Sequence, residues 1–283
     1  MLAGIMCLIL VASVGWAWYL VRASGQKTTA AADILKDVRA KGLGSYWPAI
    51  REIDFFIVQR GGKDVEWVIE MRQPAAAAAA TLLGEEMDQA GYTGLKWTSR
   101  GSEENWWVSA DASKGQYIGP TGQRGQQIRI SMSPEGLDVT LLRGLSIVEA
   151  RQRQSLADNY LPEGMLSLAV RQVAAAGRDA TFRGISNEVA FIQGQLHVGY
   201  IHMQPRGSTQ VLVLHSTPPA GTAEAVYHLD SDGRVERVEM ADGEVLRRAS
   251  LEELRIAFAG RDPVLAGRLA SLGIGTASDV GMP

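Results

Sequence analysis

The chain is predicted to be an α+β protein, mostly antiparallel β. An N-terminal transmembrane helix is followed by two curved antiparallel sheets with packed helices. Three observations predict this. Residues Leu2–Val21 carry no charged side chain. Alternation of apolar and polar residues with a period of two recurs on both sides of a helical stretch. Gly-Gly and Asp-Gly pairs stand where the alternating segments must reverse direction.

At about 1.5 Å per residue the first segment makes a helix of roughly 30 Å, the thickness of a bilayer's hydrocarbon core. Trp16, Trp18 and Tyr19 cluster at its far end, where interfacial aromatic residues sit, and Arg22 follows. A cleaved signal peptide is the alternative, but no Lys or Arg precedes the run and no small-x-small site ends it. Residues 1–22 are therefore expected to be an uncleaved, single-pass membrane anchor. Lys27, Lys36, Arg39 and Lys41 favour a cytoplasmic domain behind it. The Ala-rich leader and β-rich body favour an extracytoplasmic one, and a bacterial-type envelope protein is the expectation.

The remaining chain is long enough to bury a sizeable core. The net charge of −3 and the lack of a basic cluster with interleaved aromatics exclude a nucleic-acid partner. Cys7 is the only cysteine, which excludes an intrachain disulfide and a Cys-based metal site.

Residues 23–44 divide into a small, polar stalk, Ser24 to Ala32, and a helix over Ala31–Lys41. Ile34, Leu35 and Val38 form one stripe of that helix, and Gly42 stops it. Residues 45–143 form the first β region. Asp54–Gln59 leads through Gly61-Gly62 into a return strand. On that strand Val65, Trp67, Ile69 and Met71 share one face, with Glu66, Glu70 and Arg72 on the other. Pro74 and Ala75–Ala80 read as a loop. Short strands follow at Leu95–Thr98, Asn105–Ala110, Gln116–Ile118, Gln127–Met132 and Leu137–Leu142.

A helical insert is expected over 144–178, opened by a capping box at Ser146–Glu149 and continued by Pro162–Ala176, with Gly177 as its stop. The second β region, 179–249, turns at Asp232-Gly233 and Asp242-Gly243. Residues 250–283 supply two helices, one capped by Ser250 and Glu253 and one opened by Asp262-Pro263, then a frayed tail.

Little in the sequence carries reaction chemistry. His197, His202, His215 and His228 share one window, but no acidic or Cys partner stands at ligand spacing, so no metal site is assigned. No Gly-x-Ser-x-Gly occurs, and Gly119–Gly125 lacks the Lys-Ser/Thr of a phosphate loop. No catalytic residue and no cofactor are assigned; a hydrolase built on the His cluster is the alternative. The tryptophans are more suggestive. Trp47, Trp67, Trp97, Trp106 and Trp107 all lie in the first β region. Aromatic residues on strands mostly build core. If the sheet curls around a cavity, Trp67, Trp97, Trp106 and Trp107 are the candidate ligand-binding residues. Trp106 and Trp107, being adjacent, must face opposite sides.

The hairpins Phe55–Met71, Gln193–Met203 and Tyr227–Met240, the last with Leu229-Asp-Ser-Asp-Gly-Arg234, resemble the curled sheets of the LolA/LolB-like lipoprotein-carrier group. They also resemble the uncharacterised β domains that accompany bacterial transglutaminase-like proteins. The resemblance spans most of residues 45–250 and implies a half-closed sheet, covered by helices, that holds acyl chains without catalysis. The expected function is a membrane-anchored, non-enzymatic binding or scaffold protein of the envelope, holding an apolar ligand or a protein partner. A structural subunit of a membrane complex is the alternative.

Overall fold

The computed structural model describes residues 25–75, 81–82, 85–86, 90–121, 124–144, 147–185, 191–192, 195–217, 221–258 and 260–274. Residues 25–41 form helix α1, whose apolar stripe buries Ala30, Ala31, Ile34, Leu35 and Val38. The helix runs to Gly42, whose φ of 74° is a conformation that glycine adopts without strain. A short 3-10 turn, Leu43–Ser45, hands the chain to the sheet, and the Leu43 N–H donates to the Ala110 carbonyl at 2.7 Å.

The strands of the first half are β1 (Glu52–Arg60), β2 (Lys63–Ala75), the short pair β3 (Thr81–Leu82) and β4 (Glu85–Glu86), β5 (Gly91–Thr98) and β6 (Glu103–Ser109). Then come β7 (Gly115–Pro120), β8 (Gln126–Ser133), β9 (Gly136–Arg143) and β10 (Ile147–Gln154). Helix α2 (Leu166–Ala176) separates these from β11 (Ala180–Gly184), β12 (Phe191–Ile192), β13 (Gln195–Leu196), β14 (Gly199–Pro205) and β15 (Gln210–Thr217). The last elements are β16 (Gly221–Leu229), β17 (Val235–Met240), β18 (Glu244–Ala249), α3 (Leu251–Phe258) and α4 (Pro263–Ser271).

Fourteen of these strands make one antiparallel sheet, ordered β10-β9-β8-β7-β6-β5-β2-β1-β18-β17-β16-β15-β14-β11. Nearly every neighbour is also the next strand in the chain, so hairpin turns set most of the register. The two predicted β regions are thus one sheet, joined where β1 pairs with β18 from Phe55↔Ala249 to Arg60↔Glu244. Buried residues from β6–β9 and from β11, β14 and β15 share a single core with α1 and α2, so the sheet curls around both helices. Its two edges are bridged by the segment after β10: Arg183 of β11 donates to the Asn159 carbonyl, and its own carbonyl accepts from Leu161, each at 2.9 Å.

The apolar face of the sheet changes sides along its width. In β8 and β15, Ile128, Ile130, Val211 and Val213 point inward to α1 and α2. In β1 and β2, Ile57, Trp67 and Ile69 point outward and are covered by Leu254 and Phe258 of α3 and Leu265 and Leu269 of α4. The alternating partners on the inner face of these central strands include Glu52, Asp54, Glu70 and Arg72.

The structure corrects several expectations. Among the described residues no helix is long and apolar enough to cross a membrane. This runs against the single-pass membrane localisation, which is withdrawn; the run expected to form the anchor, 1–22, lies outside the described residues. Residues 25–32, expected as stalk, are helical, because Ala30 and Ala31 are buried and Ala favours the helix. The front of the expected helical insert is strand β10. Arg151 and Arg153 both reach Asp138 of β9, at 2.6 and 3.2 Å, and Arg143 reaches Glu149 at 2.5 Å. These cross-strand pairs at period two outweigh the capping-box pattern. The loop expected over Ala75–Ala80 falls, after Ala75, outside the described residues. The remaining caps hold as expected: Ser250 and Glu253 exchange hydrogen bonds at 2.7 and 3.1 Å, and Asp262 accepts from Val264 at 2.9 Å.

Candidate functional site

Where the central strands turn their polar face inward, they meet α2 and the Tyr46–Pro48 segment around a cavity of about 600 Å³. A volume of this size lies within the range, roughly 300–1,000 Å³, of small-molecule sites. Aromatic side chains form one wall. The Trp47 and Trp106 rings are 5.6 Å apart, and Tyr92 meets Trp47 edge-on at 5.1 Å. Trp106 is held from both sides by glycine. A Cβ on Gly94 would come within 1.9 Å of its ring, and one on Gly164, whose φ is 84°, within 2.5 Å. Only hydrogen fits at either position, so the backbone closes on the indole and locks its rotamer.

The rest of the wall is mixed, with apolar side chains such as Phe56, Leu161, Leu168 and Val238 standing among charged ones. Glu52 accepts from Arg72 and from Arg234, each at 2.7 Å. Arg72 also lies over the Trp47 ring, 4.9 Å from its centroid. Arg248 of β18 pairs with Asp54 of β1 and, at 3.4 Å, with Asp230. Lys96 faces Glu104 at 3.6 Å. Burial opposes the Lys96 charge, yet Glu104 and Glu70 together hold its pKa above the ordinary value. Burial raises the pKa of Glu70, against the attraction of Lys96 and Arg72. Tyr227 is pushed up to about 12 by burial and stays a neutral phenol.

Two groups on the wall lack a counter-charge among the described residues. Glu163 accepts a hydrogen bond from the Tyr160 hydroxyl at 2.9 Å, but no basic side chain pairs with it. Burial pushes its pKa up to about 7. Arg171 of α2 lies along Gly233, with its Nε 3.1 Å from the place of a Cβ there, and no carboxylate pairs with it.

Of the four candidate tryptophans, only Trp106 lines the cavity. Trp67 is fully buried beneath the C-terminal helices and donates from Nε1 to Asp262 at 2.6 Å. Trp97 shares that outer cluster, with the Arg268 guanidinium 4.5 Å from its ring centroid. Trp107 is buried on the face opposite Trp106, against Gly91. Trp47, part of the wall, came from the sequence only as one of five clustered tryptophans. The charged lining is not among the residues the sequence marks as candidates for binding. Those residues alternate as exposed strand faces do, and only the cover on the opposite face reveals that they point inward.

The four histidines are not gathered into one site. His215 lines the cavity, and burial lowers its pKa. His202 meets Thr181 at 3.0 Å, and His228 meets Glu239 at 3.2 Å. Among the described residues, no group of three or more His, Cys, Asp or Glu is placed to hold a metal ion.

No family model matches this chain, and no curated protein matches it. Two solved structures are similar. One is a β-barrel-like protein of a domain of unknown function, DUF1849, from Brucella abortus. It is 10% identical with a TM-score of 0.39, and the match covers 70% of this chain and 93% of that one. The other is a DUF1089 family protein from Pseudomonas aeruginosa, 12% identical with a TM-score of 0.28, covering 68% of this chain and 91% of that one.

Proposed function

We propose that this is a non-catalytic binding protein that holds a small amphiphilic molecule inside its curled sheet. One observation carries the reading: a 600 Å³ cavity with an aromatic wall, Trp47 and Trp106, facing charged groups already ordered by ion pairs. A Trp106 ring confined by Gly94 and Gly164 gives a guest apolar contact with little loss of side-chain freedom. The resemblance to lipoprotein carriers implied an acyl chain in a greasy pocket. The charged wall favours a guest with a polar head instead.

The test is a titration of the full-length chain with phenylnaphthylamine, a neutral aromatic dye that brightens in apolar surroundings. Bright, saturable binding is expected, weakened about tenfold by Trp106→Ala, which removes the wall, and by Phe56→Trp, which narrows the space. Absence of saturable binding, or binding indifferent to both variants, overturns the reading.

A further inference from the structure

The charges around the cavity are not evenly distributed. Around β1, β2, α2 and the turn before β17, four guanidinium groups line the wall: Arg72, Arg171, Arg234 and Arg248, the last already paired with Asp54 and Asp230. Arg72 and Arg234 share one carboxylate, Glu52, which spends both its oxygens on them. Glu70 also attracts Arg72, but it faces Lys96 first. The Arg72 Nε is buried and finds no acceptor among the described residues. The Arg171 side chain lies against Gly233, next to Arg234 in the chain, and has no acidic partner among the described residues. Arg234 is half exposed, so this end of the cavity reaches solvent.

A guanidinium that is partly screened from water and unpaired attracts an anion. Its fork of N–H donors suits an oxyanion such as a carboxylate, sulfonate or phosphate. We propose that Arg171, with Arg72 and Arg234 beside it, forms an anion subsite that receives the acidic head of the guest while its apolar body lies against Trp47 and Trp106. This rests on the cavity-binding reading above and specifies the guest as an aromatic or apolar organic anion.

The experiment compares two dyes on the full-length chain: phenylnaphthylamine and anilinonaphthalene sulfonate, the same ring system with an anionic group added. The sulfonate is expected to bind about tenfold more tightly at low salt, as a charge-assisted hydrogen bond allows. Arg171→Gln should remove that preference and leave the neutral dye's affinity unchanged; Arg171→Lys should keep most of it. Because Arg171 pairs with no described group, the variant is expected to melt with the parent. Arg234→Gln gives a second reading at the same end, with a smaller loss. Equal affinity for the two dyes, or a preference that survives Arg171→Gln, overturns the anion subsite while leaving the cavity reading standing. Binding of neither dye overturns both.

Discussion

Glu163 is a half-buried carboxylic acid to which the described residues offer a phenol and no cation. Its pKa of about 7 lies above the ordinary 4.5, so the folded state holds its proton more tightly than the unfolded chain does. The associated stability is complete below about pH 4.5 and is lost as pH rises through about 7. The shift corresponds to about 3 kcal/mol. Glu163→Gln, which cannot ionise, should therefore raise the melting temperature at pH 8, have little effect at pH 4.5, and flatten the profile between. Melting curves across that range check this, and an unchanged slope would refute the assignment. None of this is legible in the sequence, where Pro162-Glu-Gly164 reads as the opening of the helix expected over Pro162–Ala176. The neighbour of Glu163, Gly164, packs against Trp106, a contact between residues 58 positions apart.

Helix α4 is legible in the sequence down to its cap, yet its purpose is not. Asp-Pro marks a helix start by local chemistry alone, and the structure adds that the same Asp262 reaches across to Trp67. One carboxylate thus caps the helix and satisfies the only polar atom of a fully buried indole. Asp262→Ala should cost about 2–4 kcal/mol, the sum of a lost cap and a stranded buried donor. Asp262→Asn keeps a single acceptor oxygen, which can serve the cap or the indole but not both, and should cost about half of that; denaturant unfolding of both variants measures the difference. Strand β2 shows the complementary limit. Its alternation was readable, including which residues share a face with Trp67. Which face meets α3 and α4 and which meets the cavity depends on elements that begin more than 170 residues later. Strand β10 was misread for a related reason. Its regular feature is charge at period two, and that pattern gains meaning only when Asp138 stands opposite.

The sheet as a whole is a meander folded back on itself, and its hairpins were largely visible as Gly-Gly and Asp-Gly punctuation. The closure was not, because β1 meets β18 across almost the full described chain. Central strands are bonded on both sides and covered on both faces. Strand β10 pairs along its length only with β9 and exposes Ile147 and Val148. Amide hydrogen exchange should therefore be at least about a hundredfold slower in β1 and β2 than in β10, since opening free energies follow burial and pairing. Equal protection would mean that the sheet closes more tightly than its pairing indicates.

The clamp on Trp106 has a consequence for descent. Gly94, Trp106 and Gly164 are scattered along the chain but form one steric unit, since any side chain at either glycine would collide with the indole. Relatives that keep the tryptophan should therefore keep both glycines; where a smaller residue replaces it, alanine or larger residues should appear at 94, while 164 stays glycine for its φ of 84°. Such joint drift would mark kinship between sequences too divergent for ordinary alignment, and it would tell which of them still possess the aromatic wall.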